Sequence, residues 1–371
     1  MTTQNSWRPV TSMPGIDLKQ AFTTSRLAAV GSCDERYQQL CEADSSFARF
    51  LSSFTNFFGE RIHPSLVLRA DPGEKPLVGD LIHFRDAFAI PLLIRAWRDV
   101  WQGAQSRGPL FSDHFDFHPA FLGIGATEML VHTPAYRDLR LEPDKFKGQP
   151  SPAIDARDVS QRGDSLLLQG LLALLDIGEL PEDEAEFKER VQTSLRFAMV
   201  ALRAPSSSFL ETWDWAVSLS MWVSAFELLC HPRFGDRVEF SDVSDAIKLV
   251  PWFSPELTDM THESATQPGK LTTLPVQTYG RLYTLRNHCL HGSRSFQERL
   301  EASTDATNAS RGMLQVQIPV LYRSLLLSIL TGHGFGRFPS DSGYKEEEIL
   351  ERFEQRDFEL PLFKRSAREN E

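Results

Sequence analysis

The stretch Leu282, Tyr283, Thr284, Leu285, Arg286, Asn287, His288, Cys289, Leu290, His291 and Gly292 reads as one short helix closed by a glycine. At about 100° per residue, Leu282, Tyr283, Leu285, Cys289 and Leu290 share one broad apolar arc. Arg286 falls inside that arc, between Leu282 and Leu290. Asn287 and His291, four residues apart, stack along its edge. A charge on a face that ought to be buried is costly unless something pairs with it. A conflict of this kind marks a candidate functional site.

Outward from this stretch the local charge changes sign. Between Ser264 and Arg299 stand Lys270, Arg281, Arg286, Arg294 and Arg299, against Glu298 alone. The whole chain of 371 residues carries a net charge of -11. Such a protein does not coat nucleic acid or anionic membrane nonspecifically, so a nucleic-acid site must be a local basic patch. The four cysteines, Cys33, Cys41, Cys230 and Cys289, form no Cys-x-x-Cys pair. Neither a zinc ribbon nor a redox dithiol is indicated, and reduced thiols in a cytoplasmic protein are expected. The first residues lack a basic stretch followed by an apolar run, so no signal peptide is expected. No apolar run approaches the ~20 residues of a membrane span.

The order of elements is expected to be mostly α. Residues 1 to 25 are polar, with Pro9, Pro14 and Gly15, and read as a loose leader. Ser32 to Phe58 reads as helical from its aromatic spacing, with Gly59 as a stop. Ile62 to Leu68 is a short strand candidate. Asp80 is placed to cap a helix running toward Trp101, with Pro91 kinking or dividing it. Prolines 134, 143, 150 and 152 argue against a long helix there, and a boundary falls between Pro150 and Asp164. Beyond it come helices from Ser165 to Ile177, from Pro181 to Leu202, from Phe209 to Leu229, from Asp242 to Val250 and from Met313 to Leu330. Pro319 would kink the last or move its start downstream. Lys345 to Arg352 reads as a charged amphipathic helix before a polar tail. The expected organisation is an α-rich N-terminal domain over 1–160, a helical bundle over 161–335, and a charged helix and tail over 336–371.

The motif Arg286, Asn287, four further residues to His291, then Gly292, resembles the hallmark of the HEPN superfamily. The fuller string from Leu282 to Gly292 is similar to its Apea-like branch, in which a Leu-Tyr-x-x-Arg-Asn-x-x-x-His-Gly line recurs. An apolar helix bearing Glu227, upstream of the motif, agrees with that pattern. The resemblance spans roughly residues 165 to 332 and does not touch residues 1–160. It implies a helical bundle that dimerises and brings two motifs together in a cleft. It also implies either a metal-independent ribonuclease of a toxin, abortive-infection or phage-defence system, or a relative that binds RNA or protein without cutting. In such a nuclease the RNA 2′-hydroxyl is the nucleophile and no metal or cofactor is needed. His291 would move a proton, because histidine titrates near neutrality. Arg286 would hold the scissile phosphate, Asn287 would orient the phosphate or His291, and Glu227 would support Arg286. Lys270, Arg281, Arg294 and Arg299 would hold RNA. The partners implied are RNA, a second copy of the chain, and an inhibitor or trigger protein. The plainer reading of the same residues is a buried Arg286–Glu227 ion pair, with His291 favoured at a helix C-terminus by the dipole.

Other constellations point less far. Asp113, His114, Asp116 and His118 offer two carboxylates and two imidazoles, but their spacing favours a loop with aromatic anchors over a metal site. His288, Cys289 and His291 lack an evident fourth ligand. Trp213 and Trp215 read as core. Gly332 to Gly336 follows a helix and fits no phosphate-loop pattern.

Overall fold

A computed structural model describes residues 6–56, 58–71, 76–102, 112–122, 128–131, 139–142, 150–151, 163–178, 181–203, 212–231, 237–291, 309–339 and 345–363. Two compact units result. One comprises residues 1–89 and 108–162, the other residues 90–107 and 163–371. Helices predominate.

The first unit is not simply α-rich. A four-stranded antiparallel sheet of order β1-β5-β3-β2 runs through it, from β1 (Ser6–Met13), β2 (Phe22–Thr23), β3 (Leu27–Val30) and β5 (Ser65–Asp71). The loose leader expected over residues 1 to 25 instead contains β1 and β2: β1 lies beside β5 with Ser6 opposite Asp71 and Met13 opposite Ser65. Its polar sequence hid this. Thr11 and Ser12 are buried, and the Ser12 carbonyl accepts a 2.7 Å hydrogen bond from the His118 N–H. The ladder slips between Pro9 and Thr11, where proline has no N–H to donate. The strand expected over Ile62 to Leu68 is β5, shifted a few residues on. Leu66, Val67 and Leu68 are all fully buried, as a central strand covered on both faces requires.

The single helix expected over Ser32 to Phe58 is two helices, α1 (Glu35–Ala43) and α2 (Ser45–Leu51). Asp44 divides them. It is extended, ends α1, and its carboxylate accepts from the N–H groups of Ser46 and Phe47 at 2.9 and 3.1 Å, which starts α2. The chain then turns into β4 (Thr55–Asn56), paired in parallel with β9 (Pro150–Ser151), and Gly59 takes a positive φ of 81° in the turn that follows. Phe47, Phe50, Leu51 and Phe54 close over the sheet together with Ala120, Leu122 and Met129 from β6 (Ala120–Leu122) and β7 (Met129–Val131). β8 (Leu139–Leu141) completes that three-stranded sheet.

Helix α3 (Val78–Trp101) runs through Pro91 as one element, yet the two units divide beside that proline, between Ala89 and Ile90. The second unit then follows as α4 (Ser165–Asp176), α5 (Glu182–Ala201), α6 (Thr212–Cys230), α7 (Phe240–Lys248), a hairpin of β10 (His262–Glu263) and β11 (Leu271–Thr272), α8 (Leu274–Leu290), α9 (Ala309–Gly332) and α10 (Glu346–Phe363). The inward row of α5, Phe187, Val191, Leu195, Ala198 and Leu202, which recurs at spacings of three and four, is buried. On α6 Ala216, Leu219, Trp222, Val223 and Phe226 are buried, and Val217 is exposed. Pro319 lies inside α9 and does not postpone its start. That helix ends in a Schellman turn: Gly334 has φ +82°, its N–H reaches the Thr331 carbonyl, and the Phe335 N–H reaches the Leu330 carbonyl at 2.8 Å. Gly332 to Gly336 is thus a helix stop. The charged helix expected over Lys345 to Arg352 continues to Phe363, and its second half is buried through Gln355, Phe358, Glu359 and Leu362. No helix among the described residues is long and apolar enough to cross a membrane.

A buried polar chain holds this unit together. Arg323 on α9 is fully buried and pairs with the equally buried Asp164 at 2.5 Å. Asp164 also caps α4, accepting from the Leu167 N–H at 3.2 Å. Arg323 hydrogen-bonds Gln355, which donates to Glu359 at 3.1 Å. Glu359 in turn accepts the N–H groups of Phe253 and Ser254 at 3.0 and 2.8 Å. Arg323 and Arg98 both lie against the Phe358 ring, 4.4 and 4.6 Å from its centroid. Removing one member strands the others in a low dielectric. Asp164→Ala is expected to cost about 3–5 kcal/mol in urea unfolding. Asp164→Asn, which keeps the α4 cap, is expected to cost less.

His118 supplies a pH test of the first unit. It is buried edge-on against Phe54 and Phe50, with ring centroids 5.2 and 6.3 Å away, and burial pushes its imidazole down to about 4. The unfolded chain protonates this group near 6.5, so between those values it binds the proton more strongly than the folded state does. Stability is intact above about pH 6.5 and falls as pH drops toward 4, by about 3 kcal/mol at pH 4 from this residue alone. Thermal unfolding from pH 7 to 4 is expected to show a shallower acid loss in His118→Asn than in the parent.

Candidate functional site

Helix α8 carries the motif, and it is longer than expected. It begins at Leu274, eight residues before Leu282, with Thr273 as N-cap and Pro275 in the first turn, where a missing N–H costs nothing. Before it, a 3-10 turn covers Pro255–Leu257, and the β10–β11 hairpin leads into the helix. His291 is the C-cap, its N–H bonded to the Asn287 carbonyl at 3.0 Å. Gly292, Arg294 and Arg299 lie outside the described residues.

The buried row of α8 is Val276, Tyr279, Leu282 and Cys289. Arg286 stands in it, four residues after Leu282 and three before Cys289, and is half-buried. The expected conflict is present, with one amendment: Leu290 is 56% exposed, so the apolar arc is narrower and Arg286 lies at its margin. Glu227, on α6, lies within electrostatic reach of it. Burial pushes the Glu227 carboxyl up, and the charges of Arg286 and then His231 oppose that shift. No ion pair within 4.0 Å joins Arg286 to Glu227 among the described residues. The sealed buried pair of the plainer reading is therefore not what the side chains form. Arg286 instead donates from Nη1 to the Asn287 side-chain oxygen at 2.9 Å, and its Nε is buried with no partner.

Asn287 thus touches Arg286 through its side chain and His291 through its carbonyl. His291 itself is exposed at the helix end, and His288 is half-buried. Five residues separate Arg286 from His291, which is about 140° around the helix at 100° per residue. Within one copy they face different directions. Arg281 is also five residues from Arg286 and exposed on another side of α8, while Lys270 is exposed at the end of the β10–β11 hairpin. Among the described residues of the basic island, Arg281 points about 140° away from Arg286 around α8.

Two readings elsewhere change. Asp113 and His114 lie in a 3-10 turn (Ser112–Phe115), and His114 and His118 are buried rather than displayed on a surface loop. They serve separate backbone contacts: His114 Nδ1 lies 3.1 Å from the Gly15 carbonyl oxygen, and His118 Nδ1 accepts the Ala120 N–H at 3.2 Å. Among the described residues no group of three or more metal-binding side chains converges. The side chains of Trp213 and Trp215 lie outside the described set.

Sequence reasoning missed Tyr279 and Cys230, which share the surroundings of Glu227. Burial pushes the Cys230 thiol up to about 12, with Asp242 and Glu227 adding to it, so it is no nucleophile. Tyr279 stands seven residues before Arg286, a spacing that returns to the same helical face, and that periodicity was available in the sequence. No protein-family model, curated protein or solved structure matches the chain.

Proposed function

We propose that the unit formed by residues 90–107 and 163–371 is a metal-independent endoribonuclease of the HEPN type, acting as a homodimer in a toxin or phage-defence setting. The observation that carries this reading is the placement of Arg286: a guanidinium kept in the apolar row of α8, steered by Asn287 rather than neutralised by Glu227, five residues before an exposed histidine. A structural arginine is expected to be spent on a carboxylate. This one keeps its charge for an outside anion, and a phosphate fits the planar donor fork of arginine.

In this reading His291 takes the 2′-hydroxyl proton or returns one to the leaving 5′-oxygen. Arg286 stabilises the charge that builds on the phosphorane oxygens. Asn287 sets the guanidinium direction. Lys270 and Arg281 hold the strand at a distance, and the charge of -11 elsewhere repels unselective binding. The first unit senses a trigger, restrains the nuclease or selects the RNA, with an inhibitor or trigger protein as partner, in the cytoplasm.

One observation favours a second reading, a binding module without cleavage. Arg286 and His291 lie about 140° apart around α8, so one copy alone does not aim both at a single phosphate. The two readings separate by experiment. Purified protein is incubated with total RNA in chelator, beside His291→Ala and Arg286→Ala. The parent is expected to cut, and each variant to lose at least 100-fold of the rate. RNA retained in a mobility shift but left intact by the parent would establish the binding module instead. Light scattering is expected to give a dimer.

A further inference from the structure

Helix α10 is held to its unit along one side. Glu354 meets Arg95 and Arg98, Gln355 meets Arg323, and the guanidiniums of Arg98 and Arg323 lie against the Phe358 ring. Glu359 accepts the N–H groups of Phe253 and Ser254. The opposite side carries a line of its own. Glu346, Leu350, Phe353, Asp357 and Leu360 recur at spacings of four, three, four and three, within about 80° of one another around the helix. That is the seam spacing by which one helix receives another. Leu350 and Phe353 are each 61% exposed, and Leu360 is half-buried. Two large apolar side chains set side by side in water, on a helix already anchored behind, mark a contact surface.

The acids of the seam decide what fits it. Glu346 is exposed and Asp357 half-buried, and neither forms an ion pair with a described residue. Their neighbours differ: Glu351 is met by Arg337 at 2.6 Å, and Glu354 by two arginines. The seam therefore presents two unpaired carboxylates, one on either side of Leu350 and Phe353. A second copy of α10 does not answer them. Laid antiparallel with Leu350 on Phe353, it brings Glu346 against Asp357, because both pairs share one midpoint in the sequence. Laid parallel and in register, it brings each acid against itself. Like charges so placed reject that partner.

We propose that the outer face of α10 is a docking surface for a partner protein, which lays on it an amphipathic helix with apolar residues at its centre and lysine or arginine opposite Glu346 and Asp357. Leu350 and Phe353 supply the buried centre of the contact, and the two acids set its register and reject acidic partners. The inner face is already fixed by directional bonds, so α10 loses little freedom when the outer face is covered. None of this rests on the nuclease reading of α8.

The test uses the full-length protein and two synthetic helical peptides of about 20 residues. Both carry leucines along one seam; one has lysines at the places opposite Glu346 and Asp357, the other glutamates. In calorimetry the lysine peptide is expected to bind about tenfold tighter than the glutamate peptide, or more. The double variant Leu350→Ser with Phe353→Ser is expected to weaken the lysine peptide by about tenfold or more. Both side chains are exposed, so its thermal midpoint is expected to match the parent's. Glu346→Lys with Asp357→Lys is expected to reverse the preference between the peptides. Equal affinity for the two peptides, binding that the double serine variant leaves unchanged, or no binding at all overturns the proposal. So does a dimer in light scattering that becomes a monomer in the double serine variant, which would give this face to a second copy of the chain.

Discussion

The second unit depends on one constraint, the placing of Arg323 and Asp164 in a region that water does not reach. Neither charge is tolerable there alone. Each is spent twice: Asp164 starts α4 as well as meeting Arg323, and Arg323 reaches Gln355 as well as Asp164. From Gln355 the chain of contacts runs to Glu359 and then to the backbone of Phe253 and Ser254, just ahead of the hairpin that leads into α8. Apolar packing alone tolerates small slips of helix against helix. A connected set of directional bonds does not, so it specifies one arrangement of α4, α9, α10 and the approach to α8. Whether it adds net stability over an apolar equivalent is a separate matter, and buried ion pairs seldom do.

The contrast with Arg286 is instructive. Both arginines lie on apolar helix faces, and both break the hydrophobic pattern. Arg323 is fully buried and closes on a carboxylate, which is how a fold disposes of a charge. Arg286 is only half-buried, leans on the amide next to it and leaves Nε unmet. The second disposition leaves a guanidinium that no carboxylate closes on. The same sequence feature, a charge in an apolar stripe, thus has two outcomes, and what separates them is the presence of a fully buried acidic partner.

Legibility in the sequence followed periodicity. The helices of the second unit show a 3.6-residue apolar repeat, and their existence and most inward residues could be read from it, as with Phe187 to Leu202 on α5. The conflict at Arg286 was visible on the same grounds. What could not be read was pairing at long range. Nothing near Asp164 announces Arg323, 159 residues on, and polar side chains such as Gln355 and Glu359 look like a solvated helix face until α10 is seen to be buried. In the first unit the strands are short, and β1 is rich in polar residues whose burial is made tolerable by distant carbonyl and N–H groups. Two-residue strands such as β2, β4 and β9 leave no alternation to detect. Asp44 is a different case: a single residue that ends one helix and starts the next, within an aromatic pattern that ran on regardless.

Helix α3 has a bearing on how the chain is made and divided. Residues 90–107 belong to the second unit, but they are synthesised before residues 108–162 of the first. Arg95 and Arg98, which meet Glu354 near the far end of the chain, are therefore made more than two hundred residues before that partner. For the same reason no single cut separates the two units as whole pieces. A fragment starting near residue 163 lacks a native part of its own core, and a fragment ending there carries that part as a surplus. The two units of this protein are interleaved along the chain.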